Sequence, residues 1–232
     1  FVATLRKVRR VDLGTGIVST VVGDGAECAM STGCGAGGPA LDASLQGAAG
    51  ISVGPDGTLY VADGFQIYAV DLTATTPLWE RIAGDGTQCV SSADSCGDGG
   101  DAATAQLDPR FIEAGPDGSV FIGNFSPSRP RVLRFEAGSS TWTVTSVSST
   151  HSSTSFSGDG GPMIDAVFEA PEASAVDEQG RLVITDSGAG NVRVFDPNSG
   201  AVTSVVGAGV LGDGAAGRAA LAAPAGLAYL AS

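Results

Sequence analysis

The chain repeats itself about every sixty residues, and a fixed period on that scale means that each copy is one supersecondary unit that must stack on its neighbours to bury its faces. Gly54-Pro55-Asp56-Gly57 returns as Gly115-Pro116-Asp117-Gly118, 61 residues on, and Asp177-Glu178-Gln179-Gly180 takes the next place, 62 residues further. A glycine-rich signature keeps the same rhythm as Gly35-Ala36-Gly37-Gly38, Gly97-Asp98-Gly99-Gly100, Gly158-Asp159-Gly160-Gly161 and Gly212-Asp213-Gly214-Ala215.

Within one copy, short apolar runs bounded by Pro, Asp and Gly predict strands at Ile51-Ser52-Val53 and Leu59-Tyr60-Val61-Ala62, joined by the turn Pro55-Asp56-Gly57. A third strand is expected at Ile67 to Asp71 and a fourth at Leu78 to Ala83, before a long glycine-rich connection. The third-strand pattern recurs as Val8 to Asp12, Val132 to Glu136 and Val192 to Asp196, and the fourth as Ile17 to Val22 and Ala201 to Val206. Four-stranded meanders repeated in this way predict an all-β fold, a β-propeller of about four blades, in which radial stacking leaves only short, protected sheet edges. Residues 1–232 form a single propeller domain on this reading, with blades over 224–232 plus 1–23, 47–84, 108–148 and 170–207. Phe1 to Thr4 aligns with a second strand and Gly226 to Leu230 with a first strand, so the terminal segments are expected to share a composite blade. The alternative is that the chain is a segment of a larger propeller of about six blades. Phe1 is not an initiator methionine, which leads us to expect a processed product or part of a longer polypeptide.

Composition narrows the partners. Twelve Lys and Arg against 25 Asp and Glu give a net charge of −13, and Lys7 is the one lysine, which disfavours nucleic acid or an anionic membrane as partner. The longest apolar stretch, Ala219 to Ala231, is interrupted by Pro224 and falls short of the about 20 residues a spanning helix needs, so no membrane insertion is expected. The four cysteines form two close pairs, Cys28 with Cys34 and Cys89 with Cys96, each bracketing a polar loop. This predicts two disulfides and an oxidising compartment, extracellular, secreted or at the cell surface; a zinc site would need ligands that the single His151 and this spacing do not supply.

The runs Val8 to Asp12 and Leu59 to Asp63, with Ser157-Gly158-Asp159-Gly160-Gly161-Pro162, resemble the NHL repeat along essentially the whole chain. The segment Ala83 to Cys89 followed by Cys96 to Gly100 resembles the cysteine-bearing NHL blades of teneurins and of bacterial secreted YD-repeat (Rhs) proteins. Gly64-Phe65-Gln66 and Leu5-Arg6-Lys7 stand where NHL repeats carry an Asn-His pair. The resemblance implies a propeller module used in recognition, adhesion or scaffolding.

Thr4, Asp63, Asn124 and Asp186 occupy equivalent positions at the ends of second strands. Asp63, Asn124 and Asp186 are candidate oxygen ligands for Ca2+ around the propeller axis; equally, each could cap a turn of its own blade. Leu45, Leu107, Phe168 and Leu221 end the interblade loops and read as buried anchors. Loops 28–34 and 89–96, with the Ser-rich tract Ser148 to Ser157, vary where the strands do not, which makes them candidate surfaces for a protein or glycan partner. Arg6, Lys7, Arg9 and Arg10 gather on one strand, either to meet an acidic partner or to guard an exposed edge. Asn124-Phe125-Ser126 fits the glycosylation pattern, but Pro127 follows it.

Catalysis has little to work with. Zinc lyases of the propeller type gather several histidines, and a Ser-His-Asp hydrolase needs a placed nucleophile; here there is only His151 and no Gly-x-Ser-x-Gly segment. We therefore expect a non-catalytic extracellular module without a cofactor, part of a larger secreted or cell-surface protein, with self-association through strand exchange of the terminal segments as a further outcome. The alternative is a calcium-dependent lactonase- or esterase-like propeller hydrolase using the oxygen ring.

Overall fold

The computed structural model describes residues 1–29, 34–90, 95–124, 129–148, 157–207, 221 and 224. Fifteen strands are found among them: β1 (Val2–Thr4), β2 (Lys7–Val11), β3 (Val18–Val22), β4 (Ala48–Val53), β5 (Thr58–Asp63), β6 (Gln66–Asp71), β7 (Glu80–Ala83), β8 (Pro109–Ala114), β9 (Val120–Asn124), β10 (Pro130–Glu136), β11 (Thr141–Ser146), β12 (Pro171–Val176), β13 (Leu182–Asp186), β14 (Asn191–Asp196) and β15 (Ala201–Val206). They form four antiparallel meanders, β1-β2-β3, β4-β5-β6-β7, β8-β9-β10-β11 and β12-β13-β14-β15. This is the expected β-propeller architecture. Three sheets have four strands each, and the first has three among the described residues. The composite blade, its partner segment Gly226 to Leu230 and strand exchange through it lie outside the described residues.

Turn chemistry makes the meanders. In the β4-β5 turn Gly57 adopts φ +87°, and the Asp56 carboxylate accepts from the Thr58 N–H and hydroxyl. Asp117 holds the β8-β9 turn in the same way, through the Ser119 N–H and hydroxyl. The predicted first strands are longer than expected, because residues 48–50 also pair with β5. The register shifts by one residue at equivalent places, between Ala48 and Gly50, Pro109 and Phe111, and Pro171 and Ala173. The fourth strand of the second sheet is shorter than expected: Leu78 instead bridges to Pro39.

The core lies between the sheets, in three layers. Val8 and Val22 of the first sheet meet Leu59, Val61, Tyr68 and Trp79 of the second, with Leu45 between them. Ile67 and Ile82 of the second meet Ile122 and Leu133 of the third around Leu107. Phe121 and Val132 of the third meet Leu182 and Ile184 of the fourth around Phe168. Leu45, Leu107 and Phe168 are fully buried and are the anchors read from the sequence, whereas Leu221 is half-buried. Each anchor gains about 1.5–3 kcal/mol by leaving water, so the interblade loops are fixed at their ends although they carry little regular structure. Strands β4, β8 and β12 pack side by side, and the Ala114 N–H donates to Ser52 Oγ at 3.0 Å across two of them.

Candidate functional site

Both disulfides are formed, Cys28–Cys34 with Cα atoms 5.2 Å apart and Cys89–Cys96 with Cα atoms 5.8 Å apart. They occupy equivalent places in successive interblade loops. The base of each loop is stitched to its blade: the Cys28 N–H donates to Leu45 O at 3.2 Å, and the Gln106 N–H to Cys96 O at 3.1 Å. Cys34 and Cys96 both take positive φ, 56° and 50°, so the crosslink clamps the sharp turn that opens the glycine-rich signature. After that turn the loop runs along the outer strand, where Gly37 N donates to Trp79 O, Gly99 N to Val144 O and Gly160 N to Val202 O, each at 2.8 Å. The loops are thus rigidly based features on a rigid scaffold. The tips 30–33 and 91–94, His151 and the Phe125-Ser126-Pro127 segment lie outside the described residues.

The signature aspartates fasten the glycine-rich loops to their blades. Asp98 pairs with Arg131 and Arg129, and Asp159 with Arg193. Both central arginines are fully buried on third strands. The Arg131 guanidinium also donates to Gln106 O (2.9 Å) and Cys96 O (3.1 Å), and that of Arg193 to Val167 O and Ser157 O, both at 2.8 Å. The second blade has Ala36 in place of the aspartate and Tyr68 in place of the arginine, with Tyr68 stacked on Trp79 at 3.9 Å between ring centroids. The charged clamp of the third and fourth blades is replaced by an aromatic one in the second. The signal was in the sequence, as the joint change of Asp to Ala and Arg to Tyr across copies.

Asp63, Asn124 and Asp186 are fully buried at equivalent strand ends. Asp63 accepts from the N–H groups of Gln46 (2.9 Å) and Gly47 (2.7 Å), Asn124 from that of Asp108 (3.2 Å), and Asp186 from those of Glu169 (3.1 Å) and Ala170 (2.7 Å). Each side chain therefore ties the incoming interblade loop to its own blade, the capping role weighed above. Burial pushes the Asp63 carboxyl upward, opposed by the two backbone donors and Arg6. Among the described residues, no three or more His, Cys, Asp or Glu side chains gather where they could hold a metal ion. The oxygens of Asp63, Asn124 and Asp186 serve loop N–H groups in this arrangement. Thr4, the fourth equivalent, donates its hydroxyl to Lys7 O at 2.9 Å. In the basic cluster Arg6 pairs with Glu27 at 2.8 Å, while Arg9 and Arg10 are exposed. No helix among the described residues is long and apolar enough to cross a membrane.

Comparison with solved structures supports the fold. The chain aligns with an auxiliary nutrient binding protein from Bacteroides ovatus ATCC 8483 at 15% identity and TM-score 0.50, over 90% of this chain and 54% of that one. An auxiliary nutrient binding protein from Bacteroides thetaiotaomicron VPI-5482 aligns at 16% identity, TM-score 0.50 and the same coverages. The chain thus spans about half the length of the solved structures it resembles (54%), and at these identities the likeness concerns the fold. No curated protein matches the sequence. Residues 2–77 match the family model described as the teneurin NHL domain. The chain thus resembles the teneurin NHL repeat over its first third, and sheets that repeat the same unit as far as Val206 make the whole a β-propeller.

Proposed function

We propose that this propeller is a non-catalytic extracellular recognition module of a larger secreted or cell-surface protein, and that it binds a protein or glycan through its interblade loops. The observation that carries this reading is the pair of disulfides at equivalent loop bases. They fit an oxidising compartment and pre-organise two variable loops, which lowers the ordering cost of binding. The aspartates that a lactonase-like propeller would use for calcium serve loop backbone instead. Recognition is also what the fold commonly supports, although a fold by itself assigns no function.

The test is to screen the chain against arrays of glycans and of extracellular protein domains, with a variant in which residues 29–33 and 90–95 are replaced by Gly and Ser. Binding that disappears in the variant while the melting temperature holds supports the reading. Calcium-dependent turnover of lactone or ester substrates, abolished by Asp63→Asn with Asp186→Asn, would replace it with the hydrolase.

A further inference from the structure

A second site lies at the opposite end of the strands from the disulfide-braced loops. The register Val53↔Leu59 and Thr58↔Asp71 places the β4-β5 and β6-β7 connections there, whereas Ala48↔Asp63 and Ile67↔Ala83 place the interblade loops at the other end. Between the second and third sheets the core opens into two adjoining cavities of about 450 and 430 Å³. Both are lined by Asp56, Tyr60, Phe135 and Trp142. Trp142 meets Tyr60 edge-on at 6.1 Å and lies 5.5 Å from Phe135, so three aromatic rings form one continuous wall. Phe135 is 52% exposed, so its ring is open to a ligand in the crevice.

The walls are strongly acidic. Asp56, Asp117 and Glu136 border the first cavity, and Asp71 and Glu80 join Asp56 around the second. Arg134 is the one cationic lining residue among the described residues, and it is paired with Asp117 at 3.1 Å. Tyr60 is 4% exposed and lines both cavities. Burial, with Asp56 nearby, raises the Tyr60 hydroxyl above its usual range.

We propose that this crevice binds a basic peptide, seating an arginine or lysine side chain against Trp142 and Phe135 and among the carboxylates of Asp56 and Glu136. Cation–π attraction to exposed rings and a surplus of carboxylates both select positive charge, and a stacked neutral sugar would leave that surplus unanswered.

The probe is triarginine amide, titrated into the full chain by calorimetry and by tryptophan fluorescence. Trp79 is fully buried, so the fluorescence response belongs to Trp142. We expect saturable binding that weakens from about 50 mM to about 500 mM salt. We expect a loss of about tenfold in affinity on Trp142→Ala and on Phe135→Ser with Glu136→Gln, the latter pair chosen at the surface so that the fold survives. Asp42→Asn with Asp165→Asn removes twice the charge of Glu136→Gln at remote exposed sites and should leave binding unchanged, as should the loop replacement that tests the recognition face. Equal loss in the remote pair, or full affinity in Trp142→Ala, would reduce the effect to the net charge of the chain and overturn the site. Binding of maltohexaose in preference to triarginine would overturn the ligand class.

Discussion

Arg193 and Asp159 lie 34 residues apart in sequence and meet at 2.7 Å, the guanidinium fully buried, with further N–H groups donated to loop carbonyls and its carbon 4.6 Å from the Phe168 ring centroid, over the ring face. One side chain thereby fastens the glycine-rich loop to its blade and covers the anchor that fills the space between blades. Asp98 and Arg131 repeat the arrangement one blade earlier.

Asp159→Ala should leave that guanidinium buried without its counter-charge, at a cost of about 3 kcal/mol, seen in calorimetry as a melting temperature lower by about 6–12 °C. Adding Arg193→Tyr, which reproduces the Ala36 and Tyr68 combination of the second blade, should recover part of the loss. A double variant less stable than Asp159→Ala would show that the two clamps are not exchangeable.

Reduction should leave the fold standing but weakened. Each disulfide closes a short loop, so Cys89→Ser with Cys96→Ser is expected to cost about 2 kcal/mol. Thiol titration of the denatured chain should find no free thiol among the four cysteines before reduction and four after it.

Glu113 on β8 sets the expected pH dependence. Burial raises its carboxyl to about 7, against the opposing pull of the Val176 backbone and Ser52 hydroxyl. The folded state therefore holds a proton that the unfolded chain releases near 4.5, so this contribution to stability is complete below about pH 4.5 and is lost as pH rises through 7. In the other direction, Asp71, Asp117 and Asp177 are held below their usual range by hydrogen bonds from Thr73, Ser119 and Arg181, so their contributions are present above about pH 3.8 and are lost as pH falls further. Urea melts between pH 4 and 8 should show stability declining toward pH 8, and Glu113→Gln should flatten that slope. An unchanged slope would place the titrating group elsewhere.

Glycines of the loops should divide sharply under substitution. Gly84 sits at φ +89°, and a Cβ there would strike Phe65 O and come within 2.8 Å of Gln66 Cα. Gly99 has φ +80° with nothing within 4 Å of a Cβ. Gly99→Ala should cost about 1–2 kcal/mol for the left-handed backbone alone, while Gly84→Ala should cost more and shift the β7 end. Comparable melting temperatures for the two would contradict this geometry.

What the sequence alone determined is the part set by local chemistry. Alternating apolar runs between Pro, Asp and Gly turns fix the strands, the period fixes their grouping into blades, and cysteines six and seven residues apart can close only short loops. The anchors Leu45, Leu107 and Phe168 were legible because an isolated large apolar residue in a polar loop has nowhere to go but inward. Tertiary structure alone decided which polar groups answer one another. Asp63 and Asp186 turn toward loop N–H groups, because 16 or 17 residues of intervening chain bring those donors back to the strand end. The partners of Asp98 and Asp159 lie 33 and 34 residues away, and the aromatic crevice joins Tyr60 to Trp142 across two blades. Such pairs depend on how one sheet stacks on the next, which the hydrophobic pattern requires to happen but whose polar contacts it does not specify.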